Sequence, residues 1–173
     1  MRNLQTWTTI DRETARLQEL KRLLIMDSTE ETAYDDIVRL AAGICGTPMA
    51  LISLVDDSRQ WFKARIGLQV QETPREHAFC AIAIQRPEQA MVVRDALADP
   101  RFATNPLVTD TPSIRFYAGA PLVTSGGHAL GTVCVLDSEP RELGAERLAQ
   151  LQALAQQVIV MLEARIGGDA PAR

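Results

Sequence analysis

Apolar residues recur at three- and four-residue steps near both ends of this chain, and as short runs or alternations between, so helices should bracket a strand-rich middle. From Asp11 to about Leu24, DRETARLQELKRLL places Leu17, Leu20 and Leu24 on one face and predicts an amphipathic first helix. Ser28 stands three residues before Glu31, the spacing of a reciprocal capping box. Tyr34, Ile37, Val38 and Ala41 then mark the apolar face of a second helix that should stop near Gly43 or Gly46.

MALISLVDD and QWFKARIG read as a hairpin. Alternation in its second strand would send Trp61, Lys63 and Arg65 to one side and Phe62, Ala64 and Ile66 to the other, leaving one face wetter. Pro74 opens a segment, REHAFCAIAI, in which Phe79, Ile82 and Ala83 share the face of a third helix. AMVVRD is a short strand, and Pro100, Pro106 and Pro112 interrupt the polar stretch after it. IRFYAGAPLVT and HALGTVCVLDS, joined through Ser125, Gly126 and Gly127, form a second hairpin. Gly119 and Gly131 inside these strands mark a bulge, a close approach by backbone or ligand, or room for a neighbouring aromatic.

The last helix should run from about Gly144 to Ile166, with Leu148, Leu151, Leu154, Ala155, Val158, Met161 and Leu162 in a broad stripe. That stripe is wider than sheet packing alone needs, so part of it is expected to meet a second copy in a homodimer, with the first helix joining the bundle. The fold class is a single α/β unit of the α+β kind: one antiparallel sheet of five or six strands with helices on both faces. Residues 1–10 read as an extension, 11–166 as the domain, and 167–173 as a small, polar, mobile tail.

The 173-residue length suits one such domain. With 46% hydrophobic and 23% charged residues the composition is that of a folded globular protein. A net charge of -4 and a pI near 5.2, without any basic block, exclude the electrostatic footprint of a nucleic-acid binder. No stretch approaches the roughly 20 apolar residues that span a bilayer, and no basic-then-apolar leader opens the chain, so no membrane partner and a cytoplasmic location are expected. Cys45, Cys80 and Cys134 lie far apart and outside any CxxC, which argues for reduced thiols acting as small apolar residues.

EHAFCAIAI, MVVRDALADPRFATNPLV and IRFYAGAPLVTSGGHALGTVCVLDSEPREL together resemble the GAF domain family, especially the bacterial type joined to sensor histidine kinases and diguanylate cyclases. The resemblance runs from about Asp11 to Leu162, and the combination of FC, DxxxDPRF, FYAGAPL and GTVCVLD is more specific than any one piece. It implies dimerising first and last helices and a pocket roofed by the third helix and the irregular segment. Bilin-binding members attach pigment to a cysteine commonly followed by histidine, whereas Ala81 and Ile82 follow Cys80. The residue set of cyclic-nucleotide members finds no convincing counterpart, so the cofactor or ligand is unassigned.

The pocket candidates are Trp61, Phe79, Cys80, Arg101, Phe102 and Tyr117. Phe102, Phe116 and Tyr117 offer aromatic walls or, more readily, core packing. Asp99, Pro100 and Arg101 read as a turn whose carboxylate accepts from backbone amides, and Asp95 and Arg101 as an ion pair or as ligand contacts. His77 and Cys80, three apart, could meet on the third helix and activate the thiol. His128 reads as a turn residue.

Three functions remain. One is a regulatory sensor that binds an unknown small molecule and passes its state through the dimerising helices to an output protein of histidine-kinase or diguanylate-cyclase type. Another is a redox enzyme of methionine sulfoxide reductase type using Cys80, although the cysteine pattern differs from that branch. The third is a ligand-free dimerisation module. No phosphoacceptor histidine box and no G-x-x-x-x-G-K loop is present, and the GGD of IGGDAPAR sits in the tail, so no catalytic residue is assigned and the output is expected in another polypeptide or segment.

Overall fold

A computed structural model describes residues 9–167; the 1–10 extension call, apart from Thr9 and Ile10, and the mobile-tail call beyond Gly167 lie outside the described residues. Six strands form one wholly antiparallel sheet: β1 (Met49–Val55), β2 (Arg59–Ile66), β3 (Glu72–Pro74), β4 (Met91–Val93), β5 (Phe116–Val123) and β6 (Ala129–Asp137). Their spatial order is β3-β2-β1-β6-β5-β4. The longer helices α1 (Thr9–Arg22), α2 (Thr32–Cys45) and α5 (Ala145–Gly167) pack on one face. The short α3 (Phe79–Ala83) and α4 (Pro106–Thr109) cover the other.

Both faces of the central strands are therefore dry, and that explains why β1 and β6 are buried at every position instead of alternating with solvent. Ala50, Ile52 and Leu54 join the helical cluster, while Met49, Leu51 and Val55 join the second one. α2 buries the face the sequence pattern assigned it, and Gly46 ends it in the left-handed conformation (φ 66°), its N–H returning to the Ala42 carbonyl.

Four expectations change. α1 stops at Arg22, so Leu24 turns outward at a positive φ of 52° while Leu23 and Ile25 take its place in the core. The capping box is not formed: the Ser28 hydroxyl donates to the Ile25 carbonyl, and Glu31 directs its carboxylate to Lys63 and Arg165. β2 carries an extra residue, because Ile52 pairs with Ala64 and Ser53 with Phe62, leaving Lys63 in a bulge. Ala64 consequently joins Trp61 on the helical side, and no wet face exists. Lys63 is buried there, its ammonium held by the Ser28 hydroxyl, the Thr29 carbonyl, Glu31 and the Tyr34 ring. That buried cation is tolerated because every donor finds an acceptor.

The stripe of α5 is also spent differently. Leu151, Leu154, Ala155, Val158, Ile159 and Leu162 are all buried within this chain, which leaves Val160 (68% exposed) as the large apolar residue facing out from its middle. The width expected to serve a second copy is thus largely consumed by the sheet and α2.

Gly131 lies where β6 runs closest to β1: a Cβ there would stand 1.8 Å from the Ser53 carbonyl oxygen. It also falls in the register shift opposite Leu122, so both readings of this glycine, bulge and close approach, meet at one residue. Gly131→Ala is expected to destabilise the fold by about 1–3 kcal/mol through overpacking. A urea midpoint equal to that of the parent would show that the two strands part without cost.

Candidate functional site

Behind α3 and α4 the second apolar cluster encloses a cavity of about 360 Å³. β1, β2, β5 and β6 supply its floor through Leu51, Phe62, Tyr117, Cys134 and Leu136. Leu107, Pro112 and Ile114 close it from the irregular segment, and the exposed loop at Gly67, Gln69 and Val70 forms its mouth. Among the described residues no charged side chain lines it. A larger groove of about 650 Å³ between α5 and β5 has Glu88, Gln152, Gln156 and Glu163 on its walls and is a surface feature by comparison.

The roof is ordered by a column of rings. Phe79 stacks on Phe102 at 4.2 Å and 11° and on Tyr117 at 5.2 Å and 23°, and the Arg101 guanidinium caps the outer end 5.1 Å from the Phe102 ring. Asn105 ties the two roof helices together: its Oδ1 caps the Leu107 N–H of α4 and its Nδ2 donates to the His77 carbonyl ahead of α3.

Of the six candidate residues, Phe79, Cys80 and Tyr117 line the cavity. Phe102 stands behind Phe79, and Arg101 lies outside on a shallow groove with Ala78, Ile82 and Asn105. Trp61 belongs to the helical cluster on the opposite face and is not brought to the site. Asp95 does not pair with Arg101: it forms a two-point bond with Arg115 and caps Leu97, while Arg101 pairs with Asp99, whose carboxylate also accepts the Arg101 N–H in the expected turn. His77 sits in a 3-10 turn before α3, 3.6 Å from Glu76, so the helical His77/Cys80 pair does not form.

What surrounds the Cys80 thiol is a buried polar chain. Its Sγ lies 3.1 Å from Thr132 Oγ1 and 3.3 Å from the Tyr117 hydroxyl, which are 3.3 Å from each other. Alongside, Ser53 donates to Gln60 Oε1 and Gln60 Nε2 donates to Thr73 Oγ1, each at 2.8 Å. Ser53 and Thr132 were visible as lone polar positions within MALISLV and ALGTVCVL, a signal that a dry strand must satisfy a hydroxyl somewhere. Gly119 makes room for this cluster, since a Cβ there would stand 2.1 Å from the Tyr117 hydroxyl.

Burial alone would raise the Cys80 thiol, yet hydrogen bonding from Cys134, Ser53, Thr132 and Tyr117 outweighs it and brings it down to about 7. Cys134 moves well above the usual thiol value, through burial and then through Cys80 beside it, and Tyr117 rises for the same two reasons. On the helical face burial raises Cys45 as well. The first thiol proton to leave is therefore that of Cys80.

The architecture defines an α+β module with helices paving one face of a single sheet and an apolar cavity hollowed into the other. Residues 29–162 match the GAF domain model, and the chain belongs to the GAF domain family. It is 43% identical over 151 residues to cyclic di-GMP phosphodiesterase PA2567 of Pseudomonas aeruginosa, a match covering 87% of this chain and 26% of that protein. The GAF domain of the Acinetobacter phosphoenolpyruvate-protein phosphotransferase superimposes with a TM-score of 0.65 at 17% identity, over 97% of this chain and 100% of that one. The type II free methionine-R-sulfoxide reductase of Thermoplasma acidophilum gives 0.61 at 11% identity, over 89% and 96%. At such identities the structural likenesses show the fold alone. Among the described residues no helix is long and apolar enough to cross a membrane, and no cluster of three or more His, Cys, Asp or Glu could hold a metal ion.

Thiolate absorbance should rise in a step near pH 7, reporting one thiol, and Cys80→Ser should remove that step. A parent protein without ionisation near neutrality would overturn the assignment.

Proposed function

We propose that the chain is the regulatory, sensory GAF domain of a cyclic di-GMP signalling protein and that its ligand is an uncharged, largely apolar small molecule held in the cavity behind Phe79 and Tyr117. The observation carrying this reading is the lining: aromatic and aliphatic walls, a few inward polar atoms from Gln60, Thr73, Cys80 and Tyr117, and no Lys, Arg, His, Asp or Glu side chain. Its volume falls near the lower end of the roughly 300–1,000 Å³ typical of small-molecule sites, which suits one or two rings. A cyclic dinucleotide would bring phosphates into a dry site without a cation to meet them, and a tetrapyrrole would bring carboxylates and greater bulk. Turnover of cyclic di-GMP, the activity in the relative's name, is accordingly assigned to other parts of such a protein and not to this cavity.

The enzyme reading fares less well on the same ground. Free methionine sulfoxide is a zwitterion, and this lining offers no cation for its carboxylate and no Asp or Glu for its ammonium. A ligand-free module would fill the space with its own side chains, and a cavity remains. The output passes by rearrangement of the roof onto α1 and α5, which in a homodimer would lie against a second copy; the exposed Val160 on α5 and Ile10 on α1 are the apolar positions available for that contact.

A thermal-shift screen tests the ligand class. Neutral single- and double-ring compounds should raise the melting temperature, by the equivalent of about 2.7 kcal/mol at a hundredfold excess over Kd, while cyclic nucleotides and cyclic di-GMP should not. Leu136→Trp, which fills the cavity floor, should abolish the shift. Stabilisation by phosphate-bearing ligands alone, or a shift that survives in the filled variant, would refute the reading.

A further inference from the structure

Two thiols share the polar corner of the cavity. Cys80 arrives on α3 and Cys134 on β6; both line the cavity and both are fully buried, at 1% and 0% exposure. Several contacts bring them to the same point. Cys134 is the cross-strand partner of Gly119, and over that bare glycine leans the Tyr117 hydroxyl that lies 3.3 Å from Cys80 Sγ. Thr132, two residues along β6 from Cys134 and on the same cavity side, stands 3.1 Å from the Cys80 sulfur. The two thiols lie close enough for each to perturb the ionisation of the other. Cys45, the remaining cysteine, is on the opposite face of the sheet among the helices and shares none of these contacts.

We propose that Cys80 and Cys134 are a reversible redox pair, oxidised to an intramolecular disulfide by a small apolar hydroperoxide that enters the cavity through its Gly67–Val70 mouth. The Cys80 thiolate attacks the terminal peroxide oxygen; an S–O bond forms, the O–O bond breaks, and the alcohol leaves after taking up a proton, giving Cys80 sulfenic acid. The Cys134 sulfur then attacks the Cys80 sulfur; the S–S bond forms, the S–O bond breaks, and hydroxide departs with the Cys134 proton as water. Two thiols and one hydroperoxide thus become one disulfide, one alcohol and one water, with two electrons passing from the sulfurs to the peroxide oxygens. An external dithiol reverses the change by exchange. The new bond fastens α3 to β6 across the cavity corner, so the roof helix is locked by oxidation. The chemistry needs no bound ligand and does not rest on the ligand class proposed above.

The polarity of the pair supports this order of events. Cys80 is the thiol held ionisable by its hydroxyl neighbours, and Cys134 stays protonated until it resolves the sulfenic acid. The apolar walls favour organic hydroperoxides over polar oxidants.

The full chain, reduced and then exposed to cumene hydroperoxide or hydrogen peroxide, is alkylated and measured by intact mass and peptide mapping. The expected product has lost two hydrogen atoms, keeps one alkylatable thiol at Cys45, yields a crosslinked peptide pair containing Cys80 and Cys134, and returns to three thiols with dithiothreitol. Cumene hydroperoxide should act at least tenfold faster than hydrogen peroxide. In Cys134→Ala the reaction should stop at Cys80 as a sulfenic acid trapped by dimedone. Three free thiols after treatment, a crosslink involving Cys45, or irreversible over-oxidation of Cys80 in the parent would each overturn the proposal, and the parent's peptide map decides the question even where a variant fails to fold.

Discussion

One sheet buried on both faces is the constraint from which the rest follows. A central strand such as β1 has no wet side on which to place a polar group, so each hydroxyl or amide it carries must be matched internally. On the helical face the solution is nearly pure hydrocarbon, with Lys63 admitted only because the Ser28 hydroxyl, the Thr29 carbonyl and Glu31 surround its ammonium. On the cavity face the solution is two adjacent sets of hydrogen bonds, Ser53–Gln60–Thr73 and Cys80–Thr132–Tyr117. The cavity persists beside them because the roof is built from short helices and a proline-broken segment, which cannot pack as closely as α2 and α5 do on the other side.

Much of this was legible in residue order. Periods of 3.6 and 2 located the long helices and both hairpins, and glycines inside β6 and β5 announced close approaches that the structure places against the Ser53 backbone and the Tyr117 ring. What periodicity could not see was the extra residue in β2. A bulge shifts every later side chain by one position, so the alternation that put Ala64 opposite Trp61 fails at one pairing, Ile52 with Ala64 and Ser53 with Phe62. Trp61 was named as a cavity candidate, but the structure puts it in the helical cluster, and no local feature of its strand says which face of the sheet it meets.

The site shows the same division. Phe79, Cys80 and Tyr117 were named from a motif and meet as expected, whereas the Asp95 and Arg101 pairing failed because each charge has a nearer partner: Arg115 across the sheet edge for one, Asp99 two residues away for the other. Short-range geometry won over the longer reach. Cys134, read as a small apolar residue, acquires chemistry only through Thr132, Tyr117 and Cys80, which come from three elements, and no local sequence window contains that information.

Charge is partitioned as sharply as polarity, and this bears on how the cavity can speak to the rest of the molecule. No Lys, Arg, His, Asp or Glu side chain lines the cavity among the described residues, and Cys80 is its one readily ionised group. The ions begin just outside, where Arg75, the first residue of the turn that leads into α3, donates to Glu13 of α1 and to the Asp56 carbonyl. Glu13 is shared with Arg16, whose guanidinium reaches the Val55 and Ala129 carbonyls at the ends of β1 and β6. The Arg16 hydrogen bonds outweigh the burial that opposes them and, with Arg75, hold the Glu13 carboxyl down to about 2, so the bridge is fully charged at neutral pH and would weaken only as acid protonates it. The segment entering the Phe79 helix is thus tied by one ionic joint to α1 and to the ends of two central strands.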